Sequence, residues 1–416
     1  MDNKLLLMNP HWNNKNPSKY DKKRELFQNL VENLANQQIC FLVGARRSGK
    51  SVLLEQLLDY LLVSKIPPTQ ILFYEFSASE NSQKIWEILD IYKTEVGNLD
   101  QITYLFFDEI QYLPNFEIEI KLIYDRFPNL KIFLTGSLSL SYKRKMEESL
   151  AGRIFVYKTL PLNFREYLDF SSSQNLANFD QLKTTIKPFQ SKLIIDQLLP
   201  EFNSFLNRGR YPELAIKSTL EPKQYLESIL NQSLNQDAIN YFQVQKPNLL
   251  RNLFDYFVQN SGLETSVLNI SQVANADRET VQKYIDILEL LGLIYILPNT
   301  QNPLKVSQTK PKIYTSSSWV NQFDPNHLQK TGFIMESYIL ERLLGRNINP
   351  NFYRDRNNEI DFINWREKEA FEVKYRLNTN IRELEKYSKL SQKLGLKTKI
   401  LNIYPENENQ QSVLGF

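Results

Sequence analysis

Gly44, Gly49, Lys50 and Ser51 stand at the spacing G-x-x-x-x-G-K-S, directly after the apolar run FLV. Glycines at those two places let the backbone curl until successive N–H groups face one anion. A lysine beside them reaches the β- and γ-phosphates of a nucleotide, and the next hydroxyl holds Mg2+. The stretch Gly44, Ala45, Arg46, Arg47, Ser48, Gly49, Lys50, Ser51 and Val52 is therefore expected to cradle ATP. Residues 52–62, VLLEQLLDYLL, predict an amphipathic helix whose positive dipole end points at the same phosphates. A chance glycine turn is the competing account, and it leaves the agreement of strand, loop and helix unexplained.

Hydrolysis needs acids opposite such a loop. The run YLFFDEIQYL, residues 104–113, ends an apolar strand in Asp108 and Glu109. Acids at the carboxyl end of a parallel strand stand at the crevice where open α/β sheets bind ligands. Asp108 is expected to bind Mg2+ through water, and Glu109 to orient or polarise the attacking water. Two acids that merely cap a helix are the alternative. The next apolar run, residues 131–139, places Thr135 and Ser137 at its carboxyl end. They are read either as contacts to the γ-phosphate or the water, or as part of a turn around Gly136. Arg153 precedes another apolar strand and has two readings as well. It is a surface arginine, or a finger that reaches the nucleotide of a neighbouring subunit, which requires a homo-oligomer.

A second constellation lies near the other end. Asp361 falls in the strand-like run EIDFINW, and Glu372 and Lys374 in AFEVKYR, two apart and so on one face of a strand. Glu336 sits in a helical run before them. Together they match the PD-(D/E)xK nuclease pattern. Asp361 and Glu372, with Glu336 as a further ligand, would hold Mg2+ or Mn2+, and Lys374 would position the water that cleaves a phosphodiester. An ion pair in a half-buried cleft explains the same residues with no metal, because buried charges need partners.

The elements that must position these groups follow from the apolar patterning. At 416 residues the chain has room for about two to four domains, each with its own core. One cysteine, Cys40, excludes an internal disulfide and fits a reducing cytoplasmic compartment. Two histidines without metal-type spacing argue against zinc or histidine catalysis. No run approaches the roughly 20 apolar residues of a membrane span, and the opening apolar run is too short for a signal peptide. A net charge of +3 is too weak to predict nucleic-acid binding by itself. In the middle, residues 249–262, a short segment at 271–276 and the run after Asp277 read as three helices. Gly292 then ends the last of them, and a strand follows. That order is a winged helix-turn-helix. Arg278, Glu279, Gln282 and Lys283 lead its last helix. This face either enters a DNA groove or serves as a packing module.

GARRSGKS, LFFDE, TGS and AGR, in this order, resemble the AAA-type branch of P-loop ATPases. PLNFREYL at 161–168 and GRYPELA at 209–215 are similar to blocks of a large prokaryotic group in which a domain of unknown function follows the ATPase. Arg210 replaces that group's second glycine. GFIMESYILERL, RNNEIDFI and FEVKY resemble its C-terminal blocks, and PKIYTSSSW keeps Lys312 and Tyr314 but has serines where the group has aspartate and glycine. The resemblance implies an α/β multidomain chain. The expected parts are an N-terminal segment 1–23, an AAA-type ATPase domain 24–168 and a helical lid 169–240. A winged helix-turn-helix at 241–310 and a restriction-endonuclease-like domain at 311–416 complete it. The function expected is ATP hydrolysis that controls a nucleic-acid-directed C-terminal domain, on DNA or RNA, with an ATP-dependent switch on an inactive nuclease fold as the alternative.

Overall fold

The computed structural model describes residues 3–13, 20–77, 84–136, 149–184, 188–302, 305–355, 358–374, 381–405 and 410–416. Ser137 lies outside them. The chain divides into two units, residues 1–159 with 236–244, and residues 160–235 with 245–416.

The first unit is built on five parallel strands: β1 (Ile39–Val43), β2 (Ile71–Glu75), β3 (Thr103–Asp108), β4 (Leu130–Gly136) and β5 (Ile154–Lys158), in the order β2-β3-β4-β1-β5. Strands covered on both faces read as unbroken apolar runs, and every residue of β1 and β3 is buried. Side chains alternate across the sheet. Ile39, Phe41, Val43, Leu105 and Phe107 pack on one face with the helices Ile85–Glu95 and Phe116–Arg126. Cys40, Leu42, Tyr104 and Phe106 pack on the other with the helices Leu26–Asn33 and Lys50–Val63.

The opening residues belong to this unit and are not a separate segment. Leu5 is buried in its core. The Asn9 amide takes the place of a neighbouring strand at β2: its oxygen accepts from the Phe73 N–H at 2.7 Å and its nitrogen donates to the Phe73 carbonyl at 2.8 Å. Trp12 Nε1 donates to the Ile71 carbonyl at 2.9 Å. Unpaired polar groups of an edge strand are thereby satisfied from within the chain.

The second unit opens with helices between residues 164 and 232 and continues through the helices Pro247–Gln259, Val267–Val273 and Arg278–Leu290. Asp277 caps the last of these, its carboxylate accepting from the Thr280 N–H at 2.7 Å. A seven-stranded sheet follows in the order β12-β11-β10-β9-β8-β6-β7. Its members are β6 (Ile294–Asn302), β7 (Lys305–Thr315), β8 (Asn351–Arg354), β9 (Glu359–Asn364), β10 (Glu369–Lys374), β11 (Lys397–Asn402) and β12 (Gln410–Ser412).

The packing units cut across the expected domains. Residues 160–168, the expected end of the ATPase domain, bury Leu162, Phe164, Tyr167 and Leu168 in the core of the second unit with Tyr338 and Phe362. The nine residues 236–244, expected to straddle the join of the lid and the winged helix-turn-helix, pack into the first unit. The boundary at 310 falls inside β7, which pairs with β6 in the same sheet as the C-terminal strands.

Candidate functional site

The loop between β1 and the helix Lys50–Val63 carries the phosphate motif. Arg47 and Gly49 take left-handed backbone conformations, φ 62° and 98°, which turns successive N–H groups toward one point. Gly44 has no room for a side chain: a Cβ there would lie 2.2 Å from the Thr159 carbonyl oxygen. Lys50 Nζ donates to the carbonyls of Gly44 and Ala45 at 3.1 and 3.2 Å, so the ammonium sits across the mouth of the loop. The buried Ser48 hydroxyl has no hydrogen-bond partner among the described residues. Arg24 donates to the Ser48 carbonyl at 2.7 Å and braces the loop from the N-terminal side. Left-handed turns, a folded-over ammonium and an unsatisfied hydroxyl all fit an anionic phosphate chain.

Parallel pairing sets the acids against this loop. Asp108 ends β3, Thr135 is near the end of β4, and β4 lies between β3 and β1. Ser51 hydrogen-bonds Asp108 from the loop side. Burial pushes the Asp108 carboxyl upward, against the Thr135 hydrogen bond. A divalent cation would offset that desolvation cost, so Ser51 and Asp108 suit Mg2+. Thr135 differs from its expected role. Its hydroxyl is fully buried, donates to Asp108 and accepts from the Glu109 N–H at 2.9 Å. It therefore orders the acid pair and is not free to meet a γ-phosphate.

Glu109 is held in a left-handed conformation, φ 52°. Such strain in a residue with a side chain collects at functional sites. The Gln111 amide donates to the Glu109 carboxylate. Gly136 makes room for that glutamine, since a Cβ there would stand 2.5 Å from Gln111 Oε1. Sequence reasoning passed over Gln111, Arg24 and Asp237, and the first of them was in view two residues after the acid pair. Arg153 stands apart, at the opposite end of the sheet, where its carbonyl accepts from the Ile39 N–H. Its guanidinium forks onto Asp125 at 2.8 and 3.2 Å.

In the second unit the predicted acids do converge, but around a lysine. Lys312 of β7 lies 2.5 Å from Glu359 and 3.7 Å from Glu336. Tyr314 donates to Glu336 at 2.6 Å. Burial, then the neighbouring Asp361, pushes Glu336 up to about 7. Burial also raises Asp361, while Glu336, Asp361 and Glu359 together raise Lys312 against its own burial. The Val373 N–H donates to Asp361 at 2.9 Å. Lys374 pairs with Glu372 at 2.9 Å and donates to Tyr387 at 3.1 Å. Among the described residues no group of three or more acids, histidines or cysteines is arranged to hold a metal. Of the expected metal set, Glu336 thus faces Lys312 and Glu372 faces Lys374, with Asp361 held by the Val373 N–H.

A phosphate loop, an acid pair two strands away and a hydroxyl on the strand between them define an AAA-type P-loop nucleotide-binding domain. Residues 36–168 match a family model described as an AAA domain. Two domains of unknown function, DUF8612 and DUF4143, match residues 199–317 and 331–414. The chain is 27% identical over 413 residues to an uncharacterized protein of Methanocaldococcus jannaschii, covering 93% of this chain and 86% of that one. It is 25% identical over 280 residues to an uncharacterized protein of Haemophilus influenzae, covering 66% of this chain and 65% of that one. Among solved structures it is similar to replication initiator DnaA bound to AMPPCP and single-stranded DNA. The TM-score is 0.31 at 16% identity, over 68% of this chain and 92% of that one. For the Saccharomyces cerevisiae Hsp104–casein complex the TM-score is 0.29 at 13% identity, over 60% of this chain and 48% of that one. Among the described residues no helix is long and apolar enough to cross a membrane.

Proposed function

We propose that the chain is a Mg2+-dependent ATPase whose nucleotide state controls the second unit. The observation that carries this is the meeting of Ser51, Asp108, Thr135 and Glu109 at the carboxyl ends of neighbouring parallel strands, beside the phosphate loop. Backbone N–H groups of Gly44–Ser51 and the Lys50 ammonium bind the phosphates. Ser51 and Asp108 would hold Mg2+, which would supply positive charge beside the phosphate oxygens. Glu109, aimed by Gln111, orients the attacking water. For Arg153, forked onto Asp125 away from the phosphate loop, the surface-arginine reading is favoured over a finger in a homo-oligomer. The test is ATP turnover in Mg2+: Lys50→Ala is expected to lower both binding and turnover at least tenfold. Unchanged turnover in the variant would sink this site.

For the second unit the geometry favours the non-cleaving reading. Three helices and the β6–β7 hairpin are read as a winged helix-turn-helix that supplies the DNA contact, led by Arg278, Glu279, Gln282 and Lys283. The strands β8–β11 are read as a nuclease-like fold whose acids are neutralised by Lys312 and Lys374. Incubation of DNA and RNA with Mg2+ or Mn2+ is expected to leave both intact. Cleavage by the wild type that disappears in both Asp361→Ala and Lys374→Ala would restore the nuclease.

A further inference from the structure

Residues 236–244 leave the second unit, pack into the first and return. Their entry is a π-helical turn, Ser233–Asp237, followed by the helix Ala238–Phe242. Their exit is Gln243 in a left-handed conformation, φ 52°. A π turn inserted at a helix joint is an uncommon geometry and recurs at functional sites. The segment touches two loops of the nucleotide site. Asp237 forks onto Arg46 of the phosphate loop, accepting from Nε at 3.0 Å and from Nη2 at 2.8 Å across 191 residues of chain. The Tyr241 ring packs on Tyr112 at 4.8 Å, three residues beyond the water-orienting Glu109.

The guanidinium of Arg46, in the phosphate loop, is thus taken by a side chain from outside residues 1–159. Its side chain is a third exposed, while that of Asp237 is 13% exposed. Its field also reaches Glu109. An arginine fork suits a carboxylate and a phosphate equally well. We propose that Asp237 and the phosphates of bound ATP compete for Arg46, so that filling the phosphate loop releases residues 236–244 as a strap. The inference rests on the ATP reading given above and names the regulation of that same site. Asp237 is a positioning residue: it acts on nucleotide through Arg46. Because coupling is reciprocal, whatever holds the strap on the first unit weakens ATP binding by the factor by which ATP loosens the strap. The strap is covalently continuous with the second unit on both sides, so its release is a signal delivered to that unit.

The experiment compares the full-length wild type with Asp237→Asn and Asp237→Glu. Nucleotide binding is titrated with a non-hydrolysable ATP analogue and Mg2+, amide hydrogen exchange is followed over 233–244, and KM and kcat for ATP are measured separately. In the wild type, the analogue is expected to speed exchange across 233–244. Asp237→Asn is expected to exchange fast without nucleotide and to lower KM about fivefold or more, with kcat changed less than KM. Asp237→Glu is expected to restore the wild-type KM. Analogue binding that leaves exchange over 233–244 unchanged overturns the proposal. So does an Asp237→Asn variant whose KM is unchanged or raised, as a merely structural role predicts. A wild type that binds no nucleotide removes the ATP reading itself, and the strap with it.

Discussion

Replacing Glu109 by glutamine is expected to lower ATP turnover by about a hundredfold or more, while the affinity for a non-hydrolysable analogue stays within a few-fold of wild type. The substitution keeps the size of the side chain and removes its charge. The residue is positioned by groups that do not depend on that charge: its N–H donates to Thr135 at 2.9 Å, and its backbone is held at φ 52°. Gln111 then faces an amide where a carboxylate was. On the proposed mechanism, what disappears is the carboxylate that would orient and polarise the attacking water. Lys50→Ala has a different signature, because the ammonium spanning Gly44 and Ala45 acts on binding as well as turnover. Turnover that persists in Glu109→Gln would assign the water to another group.

Arg210→Met is expected to destabilise the second unit by about 3–5 kcal/mol. Arg210 and Glu341 form an ion pair in which each side chain is 1% exposed. The guanidinium also donates to the Leu162 carbonyl at 3.0 Å and lies beside the rings of Phe205 and Tyr338, 5.1 and 5.0 Å from their centroids. Methionine fills much of the volume but leaves the Glu341 carboxylate buried without its counter-charge. Adding Glu341→Leu is expected to recover most of the loss, since an apolar pair needs no solvation. Urea unfolding of the single and double variants measures this. An Arg210→Met protein that unfolds at the wild-type midpoint would mean that water reaches Glu341. The position is the one where the resembling group carries a second glycine. Here Gly209 supplies the left-handed turn, φ 102°, and Arg210 is released to serve as an anchor.

What was legible in the sequence was local. The phosphate loop needs one strand, one turn and one helix in a row, so its motif carries its own geometry. Asp108 and Thr135 were placed by counting to the ends of apolar runs, and parallel pairing brought those ends together. Contacts across long separations had no such signal. Nothing near Arg46 points to Asp237, and nothing near Glu336 or Glu359 points to Lys312, because both pairings arise from tertiary packing. The acid-x-lysine pattern at Glu372 and Lys374 was read correctly as a shared face, yet shared faces suit a metal and an ion pair alike. Residues 160–168 followed the last parallel strand so closely that chain order suggested one domain. The AAA family model also runs to residue 168, yet Phe164 and Leu168 are buried against later helices.

The shared seven-stranded sheet bears on how this chain can be cut and recombined. A hairpin that stood alone could be exchanged between relatives as a cassette. Here Lys312 of β7 anchors on Glu336 and Glu359, and Arg354 of β8 reaches back to Glu264. A fragment beginning after β7 would lack Lys312 and leave Glu336 and Glu359 without their ammonium. The smallest heritable piece therefore runs through both of the matched regions of unknown function, and grafting either one alone onto another ATPase should yield an insoluble chimera.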